Sequence, residues 1–399
     1  MRIALCYMDD YNLGDPIIHD CVNYLLGRIC AGNGRQVEIV HVNIGPATTG
    51  IGVGDPKRNI KKKIRMALKG VGRFRLFGAP VRGLLKLMWR CNRRVFNGWD
   101  VKRRELESVD AVIFCGGGLI KFRHQWIPYF IDDVTAIADR RGIPVIFNSV
   151  GVEGFDGGDV ECRMLKRAIN RPCVRAFSVR DDIDMLRDRY LDGDSKRLCA
   201  VCDPAMWVPE TYGISKAAEE GNRTVGLNFV RGWIFRDYGL KFPEKAAFAL
   251  YRDVAKDLLS RGYRIEFFTN GASADKIALK RFLKQDSKFT VNPDVSVRHP
   301  ENPRDLVGMI AGYSRFLAVR MHAAIIGTSL KVPNVSLVWN DKQSFFGKGS
   351  GTSENYLTVK DFKTAVVVER LLAAAPYGGG DEFRGTVMDF LRGELEAMS

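Results

Sequence analysis

The chain has 399 residues, of which 46% are hydrophobic and 27% charged, and its formal net charge is +15. This composition is typical of globular proteins and excludes a disordered or fibrous chain, while the length predicts two domains. No stretch approaches the roughly 18 uncharged apolar residues that a membrane-spanning helix needs. The first residues lack the apolar core of a secretory signal, and the nine cysteines are scattered. We therefore expect a cytoplasmic protein with reduced thiols.

The positive charge is concentrated in one segment. Residues 57–104 contain 17 Lys or Arg and one acid, Asp100, whereas the rest of the chain is close to neutral. Apolar residues recur there at helical spacing, which predicts two short amphipathic helices. Three interpretations remain open: a solvated hairpin packed on its own domain, binding to an anionic membrane surface, or nucleic-acid binding through phosphates. No nucleic-acid-binding signature occurs elsewhere, so we expect no specific nucleic-acid partner.

Strand and helix patterns alternate along the chain in two series. The first series has strands predicted at 2–7, 37–42, 110–115, 144–148 and 176–179, with helices near 17–26, 131–141, 160–169 and 181–190. After a polar linker at 214–223, the second has strands at 224–230, 264–269, 316–319 and 334–339, with helices at 244–261, 303–311, 322–329 and 381–398. Such alternation predicts parallel sheets covered by helices on both faces.

The predicted fold class is therefore α/β, with two doubly wound Rossmann-like domains facing a cleft. This layout is called GT-B-like among glycosyltransferases. The domains are predicted at 1–213, which carries the basic insert 57–104, and at 224–375, with a C-terminal helix in 376–399. Ligands of such sheets bind at the carboxyl ends of the strands, so we expect the site in the cleft.

Two glycine-containing segments follow strands of the first domain. Gly116, Gly117 and Gly118 come directly after the strand at 110–115, and they favour either a tight turn or a loop whose amides approach a ligand. Asn12-Leu13-Gly14-Asp15 follows the first strand and begins a helix. Asp15 is stabilised there by the helix dipole, and the same position would let it orient or deprotonate a hydroxyl; both interpretations stay open.

Basic side chains follow three of the buried strands. Arg180 ends the strand at 176–179, where it either pairs with an acid such as Asp181 or binds a substrate anion. Arg320 and His322 lie where the strand at 316–319 meets a helix, and His322 is able to transfer a proton near pH 7. Lys342 follows the next strand, on the surface or facing the same cleft. These groups predict a site for a small polyanion, without the ligand clusters that a metal requires.

These segments together resemble the polysaccharide pyruvyl transferase family. The resemblance covers residues 1–347, excludes the basic insert and the C-terminal tail, and depends on the order and spacing of short motifs. The matching pieces are Asn12-Leu13-Gly14-Asp15, Phe114-Cys115-Gly116-Gly117-Gly118, Ser178-Val179-Arg180-Asp181, Asp203-Pro204-Ala205, Arg320-Met321-His322-Ala323, and Val332-Pro333 leading to Lys342.

The resemblance implies transfer of the enolpyruvyl carbons of phosphoenolpyruvate onto two sugar hydroxyls, which yields a cyclic pyruvate ketal and phosphate. No further cofactor and no metal are implied. Arg180 and Arg320, with Lys342, would bind the phosphate and carboxylate, His322 would move a proton, and Asp15 would act on the acceptor hydroxyl. The sugar side would be lined by Asn12, Gly116, Gly117, Gly118 and His124.

The resemblance also implies a function for the basic insert. The acceptor would be a glycan or a polyprenyl-diphosphate-linked oligosaccharide, and residues 57–104 would bind the inner face of the cytoplasmic membrane. Two alternatives stay open, namely a GT-B glycosyltransferase that uses a nucleotide sugar on a membrane-associated acceptor and a binding protein without catalysis.

Overall fold

The computed structural model describes residues 1–8, 12–32, 36–44, 99–123, 127–193, 196–216 and 221–398. Most of the basic insert, residues 57–98, lies outside this range, and so does His124. Of the insert, only residues 99–104 are described, and they belong to the helix Trp99–Leu106.

A parallel sheet of seven strands forms the first half of the protein, in the order β2-β1-β3-β5-β6-β7, with β4 paired to the second part of β5. The strands are β1 (Arg2–Tyr7), β2 (Glu38–Asn43), β3 (Ala111–Phe114), β4 (Gly117–Lys121), β5 (Val145–Glu153), β6 (Val174–Val179) and β7 (Arg197–Ala200). The helices are α1 (Gly14–Gly32), α2 (Trp99–Leu106), α3 (Ile127–Arg141), α4 (Val160–Ile169), α5 (Ile183–Met185), which continues as the π-helical turn Leu186–Tyr190, and α6 (Val208–Tyr212), which follows the 3-10 turn Pro204–Trp207.

A second parallel sheet, of six strands, has the order β10-β9-β8-β11-β12-β13. Its strands are β8 (Thr224–Asn228), β9 (Arg264–Phe268), β10 (Val295–Arg298), β11 (Arg315–Ala318), β12 (Asn334–Leu337) and β13 (Tyr356–Leu357). Its helices are α7 (Ile234–Asp237), α8 (Glu244–Ser260), α9 (Ser273–Gln285), α10 (Pro303–Ala311), α11 (Met321–Ser329), α12 (Asp341–Gly349) and α13 (Thr364–Ala373), with 3-10 turns at Ser287–Phe289, Ser353–Asn355 and Val359–Asp361. The last helix of the chain is α14 (Asp381–Ala397).

The sheet topology decides where a ligand can bind. In each sheet the chain leaves the first strand in one direction and later returns to its other side, between β1 and β3 and between β8 and β11. Ligands of doubly wound sheets bind at the carboxyl ends of the strands at such a switch point. The segments that follow β1, β3 and β11 are therefore placed to form the site.

Each half has a hydrophobic cluster of its own, and a third cluster joins the two halves. Side chains of α1 and the turn Pro204–Trp207 pack with those of α10 and α11 in a single cluster of buried residues. The helix α14 returns to the first half, where Glu394 pairs with Arg197 at 3.0 Å and Thr386 accepts a hydrogen bond from the Cys202 amide at 2.9 Å. Among the described helices, none is both long and apolar enough to cross a membrane.

The strand predicted at 144–148 is longer than its apolar run, because it continues as β5 to Glu153. Ser149 adopts a left-handed backbone conformation, with φ of 48°, and the pairing with β6 shifts register around it. The Ser149 amide donates to Ser178 Oγ at 2.7 Å, and its hydroxyl donates to the Cys202 carbonyl at 2.9 Å. These buried hydrogen bonds stabilise the irregularity, and the longer strand carries Glu153 to the edge of the cleft.

Candidate active site

The turn after β1 forms one wall of the cleft. Asn12 Oδ1 accepts a hydrogen bond from the Gly14 amide at 2.8 Å, and Asn12 Nδ2 donates to Asp15 Oδ2 at 3.3 Å. The Leu13 amide donates to the carbonyl of Asn270, in the second half, at 2.9 Å. Because Gly14 has no side chain, the His322 ring lies where its β-carbon would be. The turn thus brings Asp15 and His322, from different halves, to one place.

The three consecutive glycines are a turn and the start of a strand. Gly116 and Gly117 have φ of 107° and 88°, which side chains strongly disfavour, and Gly117 and Gly118 begin β4. A β-carbon on Gly117 would lie 3.4 Å from Asp15 Oδ1, and one on Gly118 would lie 3.2 Å from Lys342 Nζ. The prediction of a turn or loop is therefore wrong for Gly117 and Gly118, which belong to a strand. The strand places their backbone beside the side chains of Asp15 and Lys342.

Arg180 and His322 share the carboxylate of Asp203. Arg180 pairs with Asp203 Oδ2, and their side chains are 4% and 1% exposed. His322 Nε2 lies 3.4 Å from Arg180 Nη1 and 3.8 Å from Asp203 Oδ2. Asp203 caps the turn Pro204–Trp207 by accepting from the Ala205 amide at 2.9 Å. The partner of Arg180 is thus Asp203, rather than the adjacent Asp181, and Arg180 Nε is buried without a hydrogen-bond partner among the described residues.

Arg320 is held by two buried residues of the second half. Its Nε and Nη2 donate to Asp275 Oδ2 at 2.9 and 2.6 Å, and Asp275 is fully buried. Asn228, at the end of β8, accepts hydrogen bonds from the amides of Val319 and Arg320 at 3.2 and 2.9 Å. Arg320 is also the N-cap of α11. A fixed guanidinium and the positive end of a helix dipole therefore coincide there.

Lys342 reaches from the second half to the first. It lies in the first turn of α12, where Asn340 Oδ1 accepts from its amide at 2.9 Å. Its Nζ is 2.9 Å from Glu153 Oε1 and 3.8 Å from Asp181 Oδ2, and Lys342 is buried. Burial alone would raise the pKa of Glu153, but Lys342 and Lys121 outweigh it and lower that pKa to about 2. Lys342 thus faces the cleft and connects its two walls.

His322 is neutral at pH 7 in this arrangement. Burial lowers the pKa of its imidazole to about 4; Asp203 opposes this effect, while Arg180, Lys342 and Arg320 reinforce it. Burial also raises the pKa of Asp181, although Lys342 and Arg180 oppose it. The free imidazole is therefore able to accept a proton, and an anion bound among these cations would favour its protonated form.

The structure brings together the sequence-predicted residues that it describes, at the carboxyl ends of β1, β3, β6, β11 and β12. Sequence reasoning missed Asp275, Glu153 and the amide of Asn228 as site components, and it named Asp181 only as a possible partner of Arg180. Position was the available signal, because Glu153 and Asn228 end β5 and β8, and Asp275 lies in the first turn of the helix that follows β9. In the described ranges, no group of three His, Cys, Asp or Glu side chains is arranged to hold a metal ion.

Comparison with known families supports the resemblance seen in the motifs. The model of the polysaccharide pyruvyl transferase family matches residues 12–341. The chain belongs to this family. The match extends from Asn12, in the turn after β1, to Asp341 at the start of α12. It therefore contains the candidate site residues from both sheets except Lys342, which lies one residue beyond it. No curated protein sequence matches this family member significantly.

Solved structures similar to this pyruvyl transferase family member share its fold at low sequence identity. The UDP-GlcNAc 2-epimerase of Methanocaldococcus jannaschii has a TM-score of 0.56 and 12% identity, with 99% of this chain and 100% of that chain covered. The S. aureus MnaA–UDP structure has a TM-score of 0.54 and 10% identity, with 99% and 96% covered. The Neisseria meningitidis UDP-GlcNAc 2-epimerase has 0.53 and 10%, with both chains fully covered. At such identity these similarities show the fold alone, which is GT-B-like as predicted.

Proposed function

We propose that this protein transfers the enolpyruvyl carbons of phosphoenolpyruvate to two hydroxyls of a glycan and forms a cyclic pyruvate ketal. Membership of the pyruvyl transferase family supports the transfer. The observation that carries the proposal is the convergence of Arg180, Arg320 and Lys342 around His322, at the ends of both sheets. Such a cluster suits a compact ligand with two anionic groups.

The donor would bind among the cations, on the side of residues 224–375. Guanidinium groups match the geometry of carboxylate and phosphate, and the N-termini of α11 and α12 add positive potential. Asp203, Asp275 and Glu153 hold the three cations in position before any ligand arrives. This preorganisation means that the site stabilises charge without first rearranging its own dipoles.

The proposed chemistry starts with a proton that His322 takes up as the anion binds. His322 donates it to the methylene carbon, which leaves positive charge on the adjacent carbon. One acceptor hydroxyl bonds to that carbon and loses its proton. The bond between the same carbon and the phosphate oxygen then breaks, and phosphate departs. The second hydroxyl then closes the ring and loses its proton. Asp15, on the opposite wall in residues 1–213, would accept a hydroxyl proton.

The acceptor would be a glycan or its polyprenyl-diphosphate-linked precursor. The basic segment 57–104 supports a location at the anionic membrane surface, because each Lys or Arg near such a surface contributes about 1 kcal/mol of attraction. In this proposal the enzyme is peripheral, and the segment brings it to lipid-linked substrate.

The test is a thermal-shift titration with phosphoenolpyruvate and with UDP-GlcNAc, followed by a phosphate-release assay with glycan acceptors. Phosphoenolpyruvate should raise the melting temperature, since a ligand of the native state stabilises it. Arg320→Lys retains a positive charge beside Asp275 but removes the guanidinium group that binds an anion through two N–H groups. The rise in melting temperature caused by phosphoenolpyruvate should therefore become much smaller. Arg298→Lys, at a side chain that is 51% exposed, should respond as wild type. A shift with UDP-GlcNAc alone would contradict the proposal.

A further inference from the structure

Two aromatic side chains lie beside the cation cluster and take no part in the chemistry described above. Tyr238 follows α7, and Trp339 follows β12. Their ring centroids are 4.6 Å apart and the ring planes are inclined by 71°. Tyr238 is 41% exposed, whereas Tyr251 of the nearby α8 is 2% exposed. The second half therefore presents an aromatic corner at its surface.

Buried hydrogen bonds hold this corner in place. Trp339 Nε1 donates to the carbonyl of Val319, next to Arg320, at 2.6 Å. The Trp339 amide donates to Gln343 Oε1 at 3.0 Å. Gln343 is fully buried, and its Nε2 also donates to Val319 O at 3.1 Å and to Ser336 Oγ at 2.9 Å. Because the indole is already ordered, little side-chain entropy is lost when a ligand stacks on it.

The corner adjoins the polar groups of the opposite wall. Trp339 comes three residues before Lys342, whose Nζ contacts Glu153 at 2.9 Å. The Tyr238 side chain also hydrogen-bonds that of Asn340, the N-cap of α12, two residues before Lys342. Glu153 is also paired with Lys121 at 2.9 Å. A ring lying on the corner would thus have a hydrogen-bond acceptor and ammonium donors within reach.

We propose that Tyr238 and Trp339 form a stacking surface for a pyranose ring of the acceptor, with Glu153 accepting a hydrogen bond from one of its hydroxyls. This inference rests on the proposed function, because it names how the same cleft takes its glycan. A pyranose has an apolar face of C–H groups and a polar rim, which match an aromatic surface beside a carboxylate.

The experiment is saturation-transfer NMR with the methyl β-glycosides of glucose, galactose and mannose as probes, and uridine as the nucleobase probe. It requires no catalysis and no phosphoenolpyruvate. At least one glycoside should receive saturation on its C–H protons from the wild type and from Tyr238→Phe. Tyr238→Ala should bind it about tenfold more weakly, as expected for loss of an aromatic stacking partner. Tyr263→Ala is the matched control, because Tyr263 is a partly exposed tyrosine at the amino end of β9, whereas the cleft lies at the carboxyl ends of the strands.

Several results would overturn the inference. Two of them are no transfer to any glycoside and unchanged binding by Tyr238→Ala. Equal weakening of binding by Tyr263→Ala would also do so. A loss of binding in Tyr238→Phe as large as in Tyr238→Ala would assign the contact to the hydroxyl instead of the ring. Transfer to uridine alone would assign the rings to a nucleobase and equally overturn it. Absence of a phosphoenolpyruvate thermal shift would contradict the proposed function but leaves the glycoside result standing, so the two failures are distinguishable.

Discussion

The charged side chains of the cleft are paired in ways that control their protonation. Each of Arg180, Arg320 and Lys342 has a buried or half-buried carboxylate partner. Within the part of the chain that the structure describes, the carboxylate that pairs with His322 is the distant one of Asp203, 3.8 Å away, and three cations lie around the imidazole. This imbalance, added to burial, is why the imidazole is neutral in the free protein.

His322 should make stability depend on pH. Its pKa is about 4 in the folded protein and 6.5 ordinarily, so the unfolded chain binds more protons between these values and stability falls as pH falls from 6.5 to 4. The loss is on the order of 3 kcal/mol by pH 4. The difference in melting temperature between wild type and His322→Asn should therefore narrow over this range. His41 and His299, whose pKa values are also lowered, remain in both proteins and cancel. If the difference in melting temperature stayed constant between pH 6.5 and pH 4, the lowered pKa of His322 would be contradicted.

The N-terminus of α1 has a glycine, Gly14, at the position where the His322 ring contacts the helix. Gly14 lies against the His322 ring, whereas Gly27 on the same helix is exposed and a β-carbon there would meet no atom within 4 Å. The two glycines therefore differ in function although they belong to one element.

Replacing these glycines should separate stability from activity. Gly14→Ala should displace His322, and a displacement of about 1 Å is enough to lower kcat/KM on the order of a hundredfold. Gly27→Ala should stabilise the protein by about 0.5–1 kcal/mol, because alanine loses less backbone entropy in a helix, and should leave kcat/KM unchanged. Pyruvyl-transfer kinetics and urea denaturation measure both effects. Equal activity of the two variants would show that Gly14 does not position His322.

At the scale of the whole molecule, the last helix stabilises the first half of the chain. Leu391 is fully buried in the core cluster that α14 shares with α1. Leu391→Ala should lower the free energy of unfolding by about 2–5 kcal/mol. Asp389→Ala, on the exposed side of the helix with a carboxylate that is 70% exposed, should change it by less than about 0.5 kcal/mol. If both variants unfolded at the same urea concentration, α14 would not support the core.

The basic segment should give the whole molecule affinity for anionic membranes. Changing Lys61, Lys62, Lys63 and Arg65 to Gln should weaken binding to phosphatidylserine-containing vesicles about a thousandfold, at about 1 kcal/mol per charge. Cosedimentation with those vesicles and with phosphatidylcholine alone measures the effect. The control removes four exposed charges elsewhere, at Lys241, Lys280, Lys284 and Lys288. Equal losses in both variants would indicate attraction by net charge alone.

The sequence by itself determined the fold class and the family, because buried parallel strands need continuous apolar runs and short motifs keep their order along the chain. The sequence missed four short strands, β4, β7, β10 and β13. Strand β4 begins with two glycines, β7 and β10 carry exposed residues, and β13 has only two residues, so none of them forms such a run. The sequence also located the cations and His322, since each directly follows a strand or begins a helix. These inferences depend on local pattern alone.

Only the tertiary structure decided which charges pair. Asp203 with Arg180, Asp275 with Arg320, and Glu153 with Lys342 are separated by 23, 45 and 189 positions in the chain. No local pattern encodes such partners. The first two pairs meet only when their own half of the protein is folded, and Glu153 meets Lys342 only when the two halves face one another. The neutral state of His322 and the aromatic corner of Tyr238 and Trp339 have the same origin, since burial and proximity are properties of the assembled cleft.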